Sequence, residues 1–310
     1  EMCIRDSTCT DFLLPMLASN VSTQGATLGH RNALIIAHLA AVLFGLTGIL
    51  GHLIDASASV ITFGRAAFAV LALGAVAQFQ RRGVFHQLSW RKLGMMALSG
   101  VMLMAHWVTF FIAIKVGGVA VATLGFASFP AFIALLDLAV FRERIGASES
   151  LLLLLVSIGL VLVVPSFDLL DQGTVGLLWG LASGLSFALL AITNRRGLQG
   201  ANAVQVAFWQ NMTVALLVAP FALDNLMIRG LSHSDWIYLA MLGVFCTGLS
   251  QYLFVKSLEG LEARSAGMII ALEPVYAIAC AWWLFGEEPS GRMLVGASLI
   301  ILATVLLAMG

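Results

Sequence analysis

Charge is what this sequence has least of. Only 10% of its 310 residues are Asp, Glu, Lys or Arg, against 60% that are hydrophobic, where a soluble domain carries roughly 25% charge and about half apolar residues. So little polar surface excludes a water-facing globule. Cysteine is sparse too: Cys3 and Cys9 lie near the amino terminus, Cys246 and Cys280 inside apolar runs. With no CxxC and no Cys/His spacing, neither a disulfide framework nor a metal site is implied. Net charge is zero and the basic residues are scattered between apolar runs, so nothing offers nucleic acid a basic patch. A Walker A pattern, a GxSxG elbow and a Gly-Asp protease pair are all missing, which leaves ATPase and intramembrane hydrolase chemistry without residues. No cofactor is expected. Residues 1–30 lack the basic, apolar, small-residue order of a signal peptide and read as a disordered or extraneous leader.

What the chain does have is apolar runs of about 20 residues, each long enough to cross a hydrocarbon core of roughly 30 Å. Bounded by Gly, Pro or charge, they predict spans near 33–53, 57–79, 91–114, 118–141, 149–166, 174–193, 203–223, 235–257, 263–286 and 291–309. The expected fold is therefore an all-α polytopic membrane protein with ten transmembrane helices. Lys and Arg set its orientation. With the amino terminus in the cytosol, the internal loops hold Arg81, Arg82, Arg91, Lys92, Arg142, Arg144, Arg195, Arg196, Lys256 and Arg264, and the external ones Lys115, Arg229 and Arg292. This asymmetry predicts both termini in the cytosol, and the compact loops suggest a prokaryotic inner membrane.

The chain also repeats itself. "ASFPAFIALLDLAVFRERIG" (127–146) and "ALEPVYAIACAWWLFGEEPS" (271–290) place Pro130, Phe141 and Glu143 onto Pro274, Phe285 and Glu287 at a common spacing of 144 residues. Five spans per half is an odd number, so the second copy enters the membrane upside down. Two inverted five-helix repeats, 31–166 and 167–310, are a recurring architecture of secondary transporters, which bind solute near the midplane between the halves.

Together with the span-two arginine in "FGRAAFA", these paired ends resemble the EamA-type drug/metabolite transporter superfamily over about residues 33–309. The first half departs from the pattern with Phe129 where the second has Glu273, and Arg142 where it has Gly286. The resemblance implies export or exchange of small polar or amphiphilic metabolites, often amino acids, without ATP hydrolysis. The implied partners are a small-molecule substrate, the lipid bilayer and a coupling proton.

Intramembrane charges cost roughly 2.5–3.5 kcal/mol each on the insertion scale, so each needs a partner or a role. Glu273 lies about 15 Å into span nine, near the midplane, and Pro274 beside it removes a backbone donor. A helix interrupted there calls for neighbours or cavity water. Two readings stand for Glu273: it binds a substrate amine or the coupling proton, or it pairs with a cation and fastens helices. Tyr276 and Cys280 share its face. Arg65 lies at a matching depth and is its natural partner, either as an anchor for helix packing or as a ligand for a substrate carboxylate. Its counterpart in the repeat is Gln210, beside Asn211.

His106 and Trp107 in span three, with Phe110 and Phe111, would suit an aromatic cavity wall, although packing is the commoner use of such residues. Trp179, Ser183 and Ser186 share a stripe of span six, and Gln251 lies with Ser250 and Tyr252 in span eight. Interhelical hydrogen bonding is the default for these neutral groups. Pro130 is the first-half helix break. Gly45, Gly48 and Gly51, and Gly176, Gly180 and Gly184, are spaced for close helix contact. A sugar-nucleotide carrier is the nearest alternative and would want more cations than Arg65. A membrane enzyme or receptor is the remaining one, with only His106 and a serine as candidate chemistry.

Overall fold

The computed structural model describes residues 29–79, 83–86, 88–142, 146–163, 168, 170–198, 201–257, 260–261, 269–270 and 272–309. The leader up to residue 28 and Arg81, Arg82, Glu143, Arg144 and Arg264 lie outside the described residues. All regular structure among the described residues is helical. The elements are α1 (His30–Leu53), α2 (Ala58–Phe79), α3 (Trp90–Phe126), α4 (Phe129–Phe141), α5 (Ala147–Val163), α6 (Gln172–Gly197) and α7 (Ala203–Arg229). Then come α8 (His233–Gly243), a π-helical segment (Val244–Leu249), α9 (Ser250–Ser257), α10 (Glu273–Phe285) and α11 (Gly291–Met309). Among the described residues, six stretches are long and apolar enough to cross a membrane: His30–Leu53, Ala58–Phe79, Trp90–Phe126, Gln172–Asn194, Ala203–Asp224 and His233–Phe254.

Helix starts are set by polar caps just outside the apolar runs, where unpaired N–H groups need acceptors. Ser89 accepts from Lys92 N, Asp171 from Thr174 N, and Asn202 from Val204 N and Gln205 N. Ser232 and Asp235 form a reciprocal capping box at α8.

Two features bear on the expected spans. First, the break expected between spans three and four at residues 115–117 falls at Gly118, whose φ of 84° and ψ of 170° divide the α3 stretch into two helices. The chain reverses there, since His106 and Gly117 meet Ser183 and Gly176 before it, while Gly125 and Ser128 meet Gly180 and Gly184 after it. Only glycine takes that conformation without strain. The new helical start at Val119 is capped from 168 residues away: the Glu287 carboxylate accepts from Val119 N at 3.1 Å and from Ala120 N at 3.2 Å. Second, Pro130 and Pro274 do not kink continuous helices. Each lies in the first turn of a separate 13-residue helix, α4 or α10, where its missing N–H leaves nothing unpaired. Both helices end in the left-handed conformation, at Arg142 (φ 56°) and Gly286 (φ 67°). The departure at Arg142 is thus one of residue type, with the backbone geometry kept.

The most extensive helix contacts join α3 to α6, α2 to α7, α5 to α11, α3 to α7, and α1 to α9 and α10. Without a hydrophobic driving force in lipid, helix association depends on close van der Waals approach, and glycine permits it. A Cβ on Gly176 would lie 2.5 Å from Gly117 Cα, one on Gly180 3.1 Å from Gly125 Cα, and one on Gly184 2.9 Å from Ser128 Oγ. On α1, Gly45 faces α10, Gly48 faces Val119 and Gly51 faces Phe111. Around these seams sits a main core that includes Ile54, Ile61, Phe111, Ile114 and Leu242.

Candidate functional site

Arg65 projects from the buried face of α2 and is 5% exposed. Its Nε donates to Thr247 Oγ1 at 2.7 Å, and its guanidinium carbon stands 4.0 Å from the centroid of the Trp107 ring. Thr247 belongs to the π-helical segment, and its hydroxyl donates onward to Leu242 O, five residues earlier, at 3.0 Å. π-Helical turns inside α-helices often mark functional positions. Here the segment brings a hydroxyl to Arg65 Nε. Trp107, 3% exposed, is therefore a platform for the cation.

Glu273 opens α10 and is half-buried. Its first turn is pressed against α1, since a Cβ on Gly45 would lie 3.2 Å from Glu273 O and 3.1 Å from Tyr276 Cβ. Tyr276 reaches back across the same contact, with its hydroxyl 2.9 Å from His38 Nδ1. Arg65 and Glu273 interact electrostatically but form no ion pair, and the Glu273 carboxylate makes no hydrogen bond among the described residues. The expected Arg65–Glu273 partnership is thus one of proximity: matched depth fixes one coordinate, while rotation about the helix axes turned Arg65 toward Thr247 and Trp107.

His106 is buried and hydrogen-bonded to α6. Its Nδ1 lies 2.7 Å from Ser183 Oγ, which itself donates to His106 O at 3.1 Å. With that hydroxyl proton committed, Nδ1 carries the proton of the first bond. The imidazole packs against Phe126 (centroids 4.9 Å apart) and Phe187 (5.0 Å), and Phe129 stacks on Phe126 at 5.3 Å. Aromatic rings thus fill the surroundings of Phe129, the first-half counterpart of Glu273. The stripe expected on span six is split: Ser183 is fully buried, Ser186 donates within its own helix to Ala182 O, and Trp179 is 38% exposed.

A cavity of about 900 Å³ lies between α2, α6, α7 and the π-helical segment. Its walls are mainly apolar, with four hydrogen-bonding side chains: Asn194, Gln210, Gln251 and Tyr252. Gln210 Nε2 donates to Asn194 Oδ1 at 2.9 Å and to Ser99 Oγ at 2.8 Å, which fixes the amide at the wall. Phe79, Leu198 and Ala203 carry the cavity to the end of the bundle that bears the connections α2–α3 and α6–α7. At the opposite end, hydrogen bonds tie the α1–α2 connection to its neighbours. Lys115 Nζ donates to His52 O and Ile54 O at the carboxyl end of α1, and Asp55 N donates to Asp235 Oδ1 at 3.0 Å.

Of the residues singled out in the sequence, Arg65 and Trp107 come together with Glu273 nearby, His106 pairs with Ser183, and Gln251 lies on the cavity. Thr247 was missed, and so were the contacts of Lys115 and Glu287, although Glu287 had stood out as the repeat of Glu143. Each acts on a segment distant in sequence, and no pattern along one helix reports that. Among the described residues no His, Cys, Asp or Glu cluster could hold a metal.

The chain resembles known transporters over most of its length. It is 26% identical over 278 residues to the uncharacterized transporter YwfM of Bacillus subtilis, covering 87% of this chain and 91% of that protein. Identity to the pseudopaline exporter CntI of Pseudomonas aeruginosa is 25%, over 90% of this chain and 96% of the exporter. An S-adenosylmethionine uptake transporter of Rickettsia bellii is 23% identical over 67% of this chain and 70% of its own. A solved crystal structure shares the fold with a TM-score of 0.61 at 18% identity, over 91% of this chain and 98% of the other. The profile of the EamA-like transporter family matches residues 31–164 and again 174–309. With its apolar helices, this protein is an integral multi-pass membrane protein that belongs to the EamA-like transporter family.

Proposed function

We propose that the protein is a secondary-active transporter that exports or exchanges small metabolites, amino acids or amphiphilic amines, by alternating access between two inverted five-helix halves, 31–166 and 167–310. The observation that carries the reading is a pair of opposite charges, Arg65 and Glu273, held inside an apolar bundle beside a helix start at mid-bundle. Such residues are expensive in a membrane and mark solute or ion pathways. Helix pairing supports the inverted repeat: the second helices of the halves pack on each other, as do the last ones, and α1 meets α9 and α10 as α6 meets α3 and α4. The cavity at one end and the Lys115 and Asp235 ties at the other fit one state of an alternating cycle, open toward the cytosol if both termini are cytosolic. Relatives named for export and for uptake keep both directions within the family's range.

In this reading Glu273 receives the substrate amine or the coupling proton. Protein reconstituted in liposomes should move at least one member of an amino acid and amine panel above empty vesicles, with a pH gradient altering the rate. Glu273→Gln should slow that flux by roughly tenfold or more, the size expected for removing one member of a desolvated charge contact. A panel that stays at the empty-vesicle level with and without the gradient would remove the transporter reading.

A further inference from the structure

The cavity reaches the outside of the bundle along its flank as well as at its end. Ile237, Met241, Phe245 and Tyr252 form an exposed stripe along α8, the π-helical segment and α9. Leu71 and Phe79 are exposed on α2. In an integral membrane protein such stripes face lipid tails, which are as apolar as they are. Phe79, Phe245 and Tyr252 also line the cavity, so its flank opens toward the bilayer. The gap has its cause in the packing. α9 rests chiefly on α1, while α2 and α7 pack on each other, so beyond the π-helical segment α9 stands apart from the α2–α7 pair.

An apolar cleft does not hold water well, and an empty one forfeits dispersion contacts along its walls. Ala72, Val76 and Phe79 form one side of the flank, Phe245 and Tyr252 the other. Of the polar lining groups, the Gln210 amide is already committed to Asn194 and Ser99. The lining runs from Val244 to Phe254, about 15 Å at 1.5 Å per residue, which is half of a hydrocarbon core of roughly 30 Å. It therefore matches the depth of one leaflet, on the side where α2 ends at Phe79.

We propose that this flank is a binding site for one acyl chain of a phospholipid from the leaflet on the side of the α2–α3 connection. The chain lies between Val76 and Phe79 on α2 and Phe245 and Tyr252 on the facing wall, and it closes the cavity sideways against the bilayer. Gln251 and the end at Leu198 and Ala203 stay open to water. Leaving the bilayer for the cleft brings the chain no hydrophobic gain. It is held by the contacts it supplies to walls that would otherwise face a void. Because Phe245 belongs to the π-helical segment that carries Thr247, a seated chain also braces the turn that holds Arg65. The inference rests on the membrane fold and not on any solute.

The test uses the full-length protein in phosphatidylcholine nanodiscs that contain a phosphatidylcholine with a diazirine midway along one acyl chain. Samples are irradiated in the bilayer and again after extraction and washing in detergent, and cross-links are mapped by mass spectrometry. In the bilayer, Val76, Phe245 and Tyr252 should be labelled together with Leu154 and Leu216, which are exposed on α5 and α7 outside the cleft. After washing, the labels at Val76, Phe245 and Tyr252 should persist and those at Leu154 and Leu216 should be lost. Val76→Trp, which puts an indole into the cleft, should abolish the persistent label at Phe245 and leave bilayer labelling of Leu154 and Leu216 unchanged. If the wild-type cleft is unlabelled in the bilayer, or loses its label on washing as Leu154 does, there is no seated chain and the proposal is wrong. Cross-links between two copies through Phe245 would give the cleft to a second protomer, and protection of Phe245 by a transported amino acid or amine would give it to solute. Either result overturns the proposal. The wild-type comparison decides without the variant, and since no readout is a flux, failure here leaves the transporter reading standing.

Discussion

Gly176 and Gly117 meet backbone to backbone, which makes a single methyl group a sensitive probe of the α3–α6 seam. A Cβ at 176 would stand 2.5 Å from Gly117 Cα and 2.8 Å from its nitrogen. Neither atom belongs to a flexible side chain, so the helices themselves must part. Gly176→Ala should lower stability by about 1–3 kcal/mol, as overpacking does in well-filled interiors. Gly248→Ala is the control, because its nearest contact would be an ordinary 3.6 Å to Ala72 Cβ. Thermal unfolding in detergent checks both, and equal midpoints for the two variants would contradict the close seam. These glycines were visible in the sequence because helical spacing reports which residues share a face. The setting of Arg65 was not, because its contact with Thr247 depends on how two helices are rotated, and a one-dimensional pattern holds depth without rotation.

The second helix of the α3 stretch starts at the end of the bundle where Lys115 lies, and Glu287 supplies an acceptor for its first N–H groups from the α10–α11 connection. A carboxylate at a helix start gains both the hydrogen bonds and the favourable end of the helix dipole. Glu287→Ala should therefore cost about 1 kcal/mol or more. Gly118→Ala should cost a comparable amount by another route, through positive φ and a Cβ only 3.1 Å from Glu287 Oε1. Because both substitutions act on one clamp, the double variant should lose less than the sum of the singles. Additive losses in denaturation would separate the two residues. The matched endings of α4 and α10 were legible from the repeat, while their prolines, read as breaks within longer spans, stand in the first turn of separate helices. The π-helical segment was not: "VFCTGL" differs in no periodic way from the apolar runs around it. The Gly118 break was legible as a connection between two spans, while the cap on the helix after it was not, because Glu287 lies 168 residues away.

Taken whole, the bundle has a mouth at one end and ties at the other, and that polarity is measurable. In a background with Cys3, Cys9, Cys246 and Cys280 replaced, Gln251→Cys should react with a membrane-impermeant maleimide added on the side of the α2–α3 connection and stay unlabelled from the opposite side. Lys115→Met, which removes the donors to His52 O and Ile54 O, should raise labelling from the opposite side. Labelling from the wrong side alone would reverse the assignment of the mouth. The membrane fold was readable because composition and length leave little else for such a chain to be. The polar site was readable only in part: the charges stood out as costly, while their partners did not. One last consequence follows from the contrast between Glu273 and Phe129, its counterpart among the rings of Phe126 and Phe187. In the proposed arrangement the backbone halves mirror each other but their chemistry does not, so the two faces of the cycle are unequal. Apparent affinity should differ between the two sides of the membrane, giving the protein a kinetic preference for one direction, while the gradients alone still fix where the flux comes to rest.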